Sequence, residues 1–273
     1  MKKYCTLIVL LLIISRLHAQ ELYVYTEPAS NMPARSLSAK LTTNYNVDKL
    51  WDDRITQRYI PELMWGVSKK LMLHLGTSFA DMHTQRFKWE AWYAYGKYRF
   101  LSLDDVHKHF RAAVFVKAAH SRSRFHFDEV SLIDKSGITG GLIATGLVNK
   151  TAVSLTVSNT QILGNARTNK VLYVPPRIFQ AMNYSLSTGY LLLPREYTNF
   201  KQTNVNLYAE LLAQQTIGRK THYVDLAPAV QFIFNSVSKL NIGYRFQVSG
   251  NMERMAKQSL LVSYEYTFLN AFR

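Results

Sequence analysis

The most regular feature of this sequence is an alternation of apolar and polar residues with a period of two. The alternation is clearest near the C-terminus, in residues 239–249 and 259–268. Apolar residues there share one parity, namely Leu240, Ile242, Tyr244, Phe246, Val248, Leu260, Val262, Tyr264, Tyr266 and Phe268. Successive side chains of a strand point to opposite faces, so each segment predicts a strand with one apolar and one polar face.

Ten further segments show similar alternation, which brings the number of predicted strands to about twelve. They are residues 37–45, 59–67, 71–79, 87–95, 110–118, 138–148, 153–157, 180–192, 204–211 and 224–232. A membrane-spanning strand needs roughly 9 to 11 residues, with one parity facing lipid and the other facing the lumen. The pattern therefore predicts an all-β, transmembrane, antiparallel up-and-down β-barrel. The alternative is a soluble β-sandwich or a lipocalin-like barrel, whose strands also bury one face.

The lengths of the connections support the membrane barrel. Short turns are predicted at residues 68–70, 149–150 and 235–238, and longer loops at 46–56, 121–137 and 159–179. Bacterial barrels have short periplasmic turns and longer extracellular loops, and an even strand number places both termini on one side. We therefore expect both termini to be periplasmic.

The N-terminus has the features of a cleaved secretory signal. Lys2 and Lys3 precede an apolar run over residues 7–14, and a small residue, Ala19, stands before a cleavage site at Gln20. We assign residues 1–19 to the signal peptide and residues 36–273 to the barrel. The irregular segment 20–35 is expected either to enter the lumen as a small plug or to lie in the periplasm. The single cysteine, Cys5, falls in the signal peptide, so no disulfide is expected.

The chain is strongly basic. Its formal net charge is +15, and removal of Lys2, Lys3 and Arg16 with the signal leaves about +12. In an exported protein we set nucleic acid aside and expect basic loops and rims to face outer-membrane lipid and the phosphates of lipopolysaccharide. Anion transport is the alternative use of this charge.

Aromatic residues are abundant, and many stand near the ends of predicted strands. Amphipathic rings favour the two membrane interfaces, and we expect this location for Trp65, Trp89, Tyr93, Tyr95, Tyr184, Tyr190, Tyr223, Tyr264, Tyr266 and Phe268.

The signal peptide, the twelve alternating segments and the final strand ending in an aromatic residue together resemble the outer-membrane β-barrel proteins of Gram-negative bacteria. The resemblance covers the mature chain as an architecture and indicates no particular subfamily. It implies an outer-membrane location and a C-terminal signal for the barrel-insertion machinery, carried by Phe272 or Phe268. Arg273 follows the aromatic residue, which departs from the usual terminal pattern.

The polar parity of the strands predicts the side chains that line the lumen. They are Lys40, Glu62, His74, Lys88, Glu90, Arg111, Lys117, Glu210, Asp225, Lys239, Arg245 and Glu265. Six bases against five acids is a near balance, which favours a narrow or closed lumen over a strongly ion-selective one. The expected function is a channel or transporter for small solutes. The alternative is a structural or binding barrel whose lumen is filled.

A lipid hydrolase at the barrel rim is a third candidate, because His120, Ser121 and Ser123 lie at the outward end of a strand. Adjacent strand residues point to opposite faces, so His120 and Ser121 cannot pair directly, and Ser123 fits only if the chain bends. His107, His109 and His126 are weak metal candidates, since neither histidine cluster supplies a full ligand set. We therefore expect no catalytic residue, no metal site and no cofactor.

Overall fold

The strands predicted from the alternation are confirmed in a computed structural model, which describes residues 23–47, 55–82, 86–105, 108–122, 127–163, 178–194, 199 and 201–272. Twelve strands occur in these residues: β1 Ser36–Val47, β2 Ile55–Gly66, β3 Leu71–Ala80, β4 Lys88–Asp104, β5 Lys108–Ser121, β6 Gly137–Val148, β7 Thr151–Ile162, β8 Gln180–Leu193, β9 Asn204–Thr216, β10 His222–Phe234, β11 Ser238–Gly250 and β12 Gln258–Phe268. Residues 1–22, which include the predicted signal peptide, and Arg273 lie outside the described residues. None of the described residues forms a helix long and apolar enough to cross a membrane.

Each strand pairs antiparallel with its neighbours in the sequence, and β1 pairs with β12 to close the barrel. Closure leaves no unpaired sheet edge among these strands, which is the condition for a sheet to lie in lipid. The predicted fold class, an all-β antiparallel barrel of twelve strands, is confirmed.

The outer surface of the barrel is apolar. Large apolar side chains project outward from every strand, and Leu63, Leu75 and Leu155 are each more than half exposed. The opposite parity is buried and largely polar, as with Ser187, Gln231 and Asn241. This arrangement inverts that of a soluble protein and matches the lipid-facing belt and polar lumen of a membrane barrel.

The two ends of the barrel differ. The end that holds the start of β1 and the end of β12, here called the terminal end, also has the tight connections 149–150 and 235–237. Asn149, Asn235 and Ser236 have positive φ values of 53°, 50° and 59° there, a conformation that asparagine tolerates in short hairpins. The connections 122–136 and 163–179 lie at the opposite end.

A β-bulge in β4 reverses which side chains of the strand face the lumen. Ser78 pairs with Ala91 whereas Phe79 pairs with Trp89, so Glu90 is the extra residue. Beyond the bulge the odd positions face the lumen, and Tyr93 and Tyr95 are buried there. The expectation that these two tyrosines lie at the membrane interface was wrong for this reason.

Candidate functional site

An N-terminal segment occupies part of the lumen. Residues 23–35, here called the lumen segment, run inward from Ser36 at the terminal end. The Arg35 amide donates to the Gly66 carbonyl at 2.6 Å, and Asn31 Nδ2 donates to the Lys69 carbonyl at 3.4 Å. Ala29 is fully buried. Of the two locations that the sequence left open for this segment, the structure has it inside the barrel.

Glu210 on β9 binds the inner end of the lumen segment. Its Oε1 accepts hydrogen bonds from the amides of Val24 and Tyr25 at 2.8 and 2.9 Å. Its Oε2 accepts from the Thr26 amide at 3.0 Å, the Thr26 hydroxyl at 2.7 Å and Ser187 Oγ at 3.1 Å. Three successive amides that converge on one anion form a backbone nest. A fully buried carboxylate thus holds the segment by its main chain.

Lys97 on β4 holds the middle of the lumen segment. Its Nζ donates to the carbonyls of Pro28 and Ser30 at 2.7 and 2.8 Å and lies 3.2 Å from Glu27 Oε2. Lys97 has no exposed surface. The sequence did not identify this residue, because the predicted strand ended at Tyr95 and the β4 bulge also reverses the parity that faces the lumen. The consecutive large residues Trp92 and Tyr93 break the alternation and were the available signal.

Two further wall residues contact the lumen segment. Thr145 Oγ1 accepts a hydrogen bond from the Ala29 amide at 2.9 Å, and Arg111 Nη1 donates to Ser30 Oγ at 3.0 Å. Asp104 holds the Arg111 guanidinium through its Oδ1 at 2.8 and 3.0 Å. Together with Glu210 and Lys97, these contacts come from four parts of the barrel wall, so the segment is bound by polar groups along much of its length.

At the opposite end a loop folds into the barrel mouth. In this inner loop, residues 127–136, the Val130 amide donates to Gln214 Oε1 at 2.8 Å, and Gln214 Nε2 returns a bond to the Val130 carbonyl at 3.0 Å. Val130 and Leu132 pack against Ile162 and Ile178. The loop therefore covers part of the mouth through both polar and apolar contacts.

Asp225 is the centre of a charge cluster below the inner loop. Its carboxylate accepts from Arg254 at 2.8 and 2.9 Å and from Arg245 Nε at 2.5 Å. Glu129 of the inner loop lies 3.3 Å from Arg254 and 3.8 Å from Arg245. Arg254 also stacks on the Tyr223 ring at 3.8 Å, and Tyr223 is buried inside the barrel. The expectation that Tyr223 lies at the membrane interface was therefore wrong.

Two charged groups have displaced pKa values, namely Lys135 of the inner loop and Arg254 of the connection between β11 and β12. Burial lowers the pKa of Lys135, although Asp134, Glu129 and Asp128 act in the opposite direction. Burial alone would lower the pKa of Arg254, but Glu129 and the hydrogen bonds to Asp225 raise it. Both loops are therefore held by partly desolvated charges.

The other lumen candidates mostly meet oppositely charged or aromatic neighbours. Arg58 Nε lies 2.9 Å from Glu90 and Arg58 Nη2 lies 2.5 Å from Asp134. The remaining contacts are Lys239 with Glu265 at 3.2 Å, His74 with Glu62 at 2.5 Å, and Lys117 over the Tyr93 ring at 4.0 Å. Lys40 pairs in register with Glu62 and Glu265, whereas Lys88 is exposed at the start of β4.

The cavity between the lumen segment and the wall is small. Its volume is about 60 Å³, and Lys40, Gln231, Asn241 and Glu265 line it opposite Tyr25. This space holds no more than a few water molecules. At this position little free space separates the segment from the wall.

Gly66 allows the lumen segment to pass close to β2. A Cβ atom built there would lie 2.1 Å from the Pro33 carbonyl oxygen and 3.0 Å from Met32 Cγ. We expect Gly66→Ala to displace the segment and to increase its cleavage by protease at least several-fold in the folded barrel. Gly146→Ala is the matched control, because a Cβ there meets no atom within 4 Å. Equal cleavage of the two variants would contradict the close approach.

The hydrolase and metal candidates are dispersed. His120 lies beside Trp92 on the outer face, with ring centroids 6.5 Å apart, whereas Ser121 is buried on the inner face. His109 Nδ1 lies 3.1 Å from Asp104 Oδ1. His107, Ser123 and His126 lie outside the described residues. Within those residues, no group of three or more His, Cys, Asp or Glu side chains could hold a metal ion.

Neither a protein-family model nor a curated protein sequence matches this chain. Among solved structures, an outer membrane channel from Pseudomonas putida F1 is similar at 13% identity and a TM-score of 0.53, over 90% of this chain and 100% of that chain. The KdgM porin aligns at 10% identity and a TM-score of 0.49, over 85% of this chain and 99% of that chain. The first of these likenesses shows the fold, and this fold is that of an outer-membrane β-barrel.

Proposed function

We propose that this protein is an outer-membrane channel for small solutes, and that the lumen segment closes it in the conformation described. One observation carries the proposal: the occupant of a polar lumen is a segment preceding β1 rather than side chains of the wall alone. A segment joined to the wall through Ser36 can withdraw without unpairing any strand. Withdrawal leaves a passage lined by polar and charged side chains, as solute channels require.

The polar contacts of the segment suit a reversible closure. Glu210, Lys97 and Thr145 bind its main chain, and water can replace each of these hydrogen bonds when the segment leaves. The inner loop differs, because it is joined to strands at both ends and fixed by the Asp225 charge cluster. The lumen segment is therefore the moving part in this proposal.

The orientation and the partners follow from the same proposal. The terminal end, with its tight turns, faces the periplasm, and the end with the inner loop faces outward. Basic loops contact lipopolysaccharide, and the C-terminal strand binds the insertion machinery after cleavage of the signal near Ala19. A role without rim hydrolysis is part of this proposal.

The alternative is a barrel with a permanently filled lumen and a structural or binding role. The pairing of lumen charges favours it: Glu90, Asp225 and Glu265 each meet an arginine or a lysine. Glu62 meets a histidine and Glu210 meets backbone amides, so two of the five predicted acids bind other groups.

Single-channel recording in a planar bilayer tests the proposal. We expect rare openings of the signal-free protein and at least about a tenfold higher open fraction for Glu210→Ala/Lys97→Met, since buried amides and carbonyls lose their partners. Glu253→Ala/Lys88→Met is the matched control, because both side chains are exposed. Silence of all three proteins, with folding shown by heat-modifiable gel mobility and segment release shown by thiol labelling, would favour the filled barrel.

A further inference from the structure

Three methionine side chains meet where the lumen segment enters the barrel. Met32 of the segment, Met64 of β2 and Met72 of β3 form one buried cluster with Tyr95, and Phe115 packs against it. Their exposed fractions are 4%, 0% and 0%. Three methionine side chains from separate parts of the chain thus belong to one buried cluster in a polar lumen.

A histidine with a free ring nitrogen adjoins this cluster. His74 is the direct cross-strand partner of Met64, which places their side chains next to each other on the lumen face. Its ring lies 4.7 Å from that of Tyr95, which packs in the methionine cluster. The Nε2 atom is buried and has no hydrogen-bond partner among the described residues. A buried nitrogen in this state destabilises the fold unless something binds it.

Glu62 orients the imidazole. His74 Nδ1 lies 2.5 Å from Glu62 Oε1, so Nδ1 is the nitrogen that carries a proton toward the carboxylate, and Nε2 points away from it. A histidine that binds a metal almost always donates its other ring N–H to a carboxylate, a backbone carbonyl or water, and Glu62 is such a partner here. The pairing of Glu62 with His74 therefore leaves Nε2 as a donor for a metal ion.

The donor set points to a soft monovalent cation. Thioether sulfur selects Cu(I) over hard ions such as Mg²⁺ and Ca²⁺, and imidazole also suits copper. A single positive charge on the ion is favoured here, because Lys97 is the cross-strand partner of Met72 and already places one positive charge nearby. Glu62 supplies the compensating negative charge next to His74.

We propose that His74 Nε2 and the sulfur atoms of Met32, Met64 and Met72 form a binding site for Cu(I), for which Ag(I) is a chemical analogue. The site does not depend on the proposed channel function. Because Met32 belongs to the lumen segment, a bound ion links this segment to β2 and β3 and stabilises its docked position. The ion enters at the terminal end, where Met72 pairs with Gly66 beside Pro33.

Packing alone would also explain buried methionines, since their flexible side chains fill irregular gaps and contact aromatic rings. Packing does not account for the unpaired Nε2 beside them. Substitution by leucine separates the two explanations, because leucine keeps the apolar volume and removes the sulfur. His74 and Glu62 remain in place in such variants.

The test is competition for Cu(I) against a colorimetric chelator under reducing conditions, repeated with Ag(I), on the folded signal-free protein in detergent. We expect one ion per chain and, for Met64→Leu/Met72→Leu, more than about tenfold weaker binding, because loss of an outer partner already costs that much. The control is Met182→Leu/Met252→Leu, which changes two methionines outside the cluster. It should bind as the wild type does.

A second readout is the methyl resonance of each methionine. Binding of Ag(I) should shift the signals of Met32, Met64 and Met72 and leave those of Met182 and Met252 in place. Met32→Leu, which leaves the strands untouched, should also weaken binding, and it serves if the double variant fails to fold. Wild-type binding no tighter than that of Met64→Leu/Met72→Leu or Met32→Leu would overturn the proposal.

Discussion

Replacement of Asp225 by alanine should lower the free energy of unfolding by about 3 kcal/mol, the lower end of the range for breaking a buried ion pair. Asp225 has no exposed surface and accepts hydrogen bonds from both Arg254 and Arg245. Without it, two guanidinium groups lie in a desolvated environment with less compensation. Glu129, at 3.3 and 3.8 Å from the two arginines, keeps the loss from being larger.

Denaturant unfolding in detergent, followed by tryptophan fluorescence, measures this loss. The variant Asp225→Ala/Arg254→Met serves as the control, because it removes one arginine together with the carboxylate and leaves only Arg245 without Asp225. It should recover part of the stability that Asp225→Ala loses. A loss below about 1 kcal/mol for Asp225→Ala would place this cluster with exposed ion pairs, which contribute little.

Replacement of Glu210 by alanine should release the lumen segment while the barrel remains folded. Val24, Tyr25 and Thr26 lose the acceptor of their amides, and Thr26 also loses that of its hydroxyl. A buried donor without a partner costs about 1–3 kcal/mol, and water satisfies these donors once the segment leaves. We expect a shift of about 2 kcal/mol toward release, which corresponds to about a 30-fold change in the equilibrium.

Thiol labelling of Val24→Cys measures the release, since Val24 is buried in the docked segment and the mature chain has no cysteine of its own. The labelling rate should rise about 30-fold when Glu210→Ala is added. Glu253→Ala is the control, because this carboxylate is exposed and should leave the rate unchanged. An unchanged rate in Glu210→Ala would mean that the apolar contacts of Tyr23 and Val24 hold the segment.

Regular strands were predictable because alternation is a local property of the chain. Residues 239–249 and 259–268 show it with one interruption, at Leu261, and β11 and β12 cover these residues to within one position at each end. Where a bulge interrupts a strand, parity carries over only as far as the bulge. Glu90 was identified in β4, whereas Lys97 was missed because it lies beyond both the bulge and the predicted end of the strand at Tyr95.

The partners of the lumen charges were not predictable, because they come from segments far apart in the sequence. Glu210 binds a segment 184 to 186 residues away, and Arg254 reaches Glu129 across 125 residues. The local sequence around a buried acid does not show whether its partner will be a lysine side chain or backbone amides. The methionines likewise looked unremarkable, since Met32 joins Met64 and Met72 only when the segment enters the barrel.

The sequence by itself determined the strand number, the apolar outer face, the polar inner face and the ends at which short turns occur, because all of these depend on side chains spaced two apart and on local turn residues. The tertiary structure alone decided that residues 23–35 occupy the lumen, that the inner loop covers the opposite mouth, and which charges pair. Those outcomes depend on barrel closure, which brings residues that are far apart in the sequence together inside the barrel.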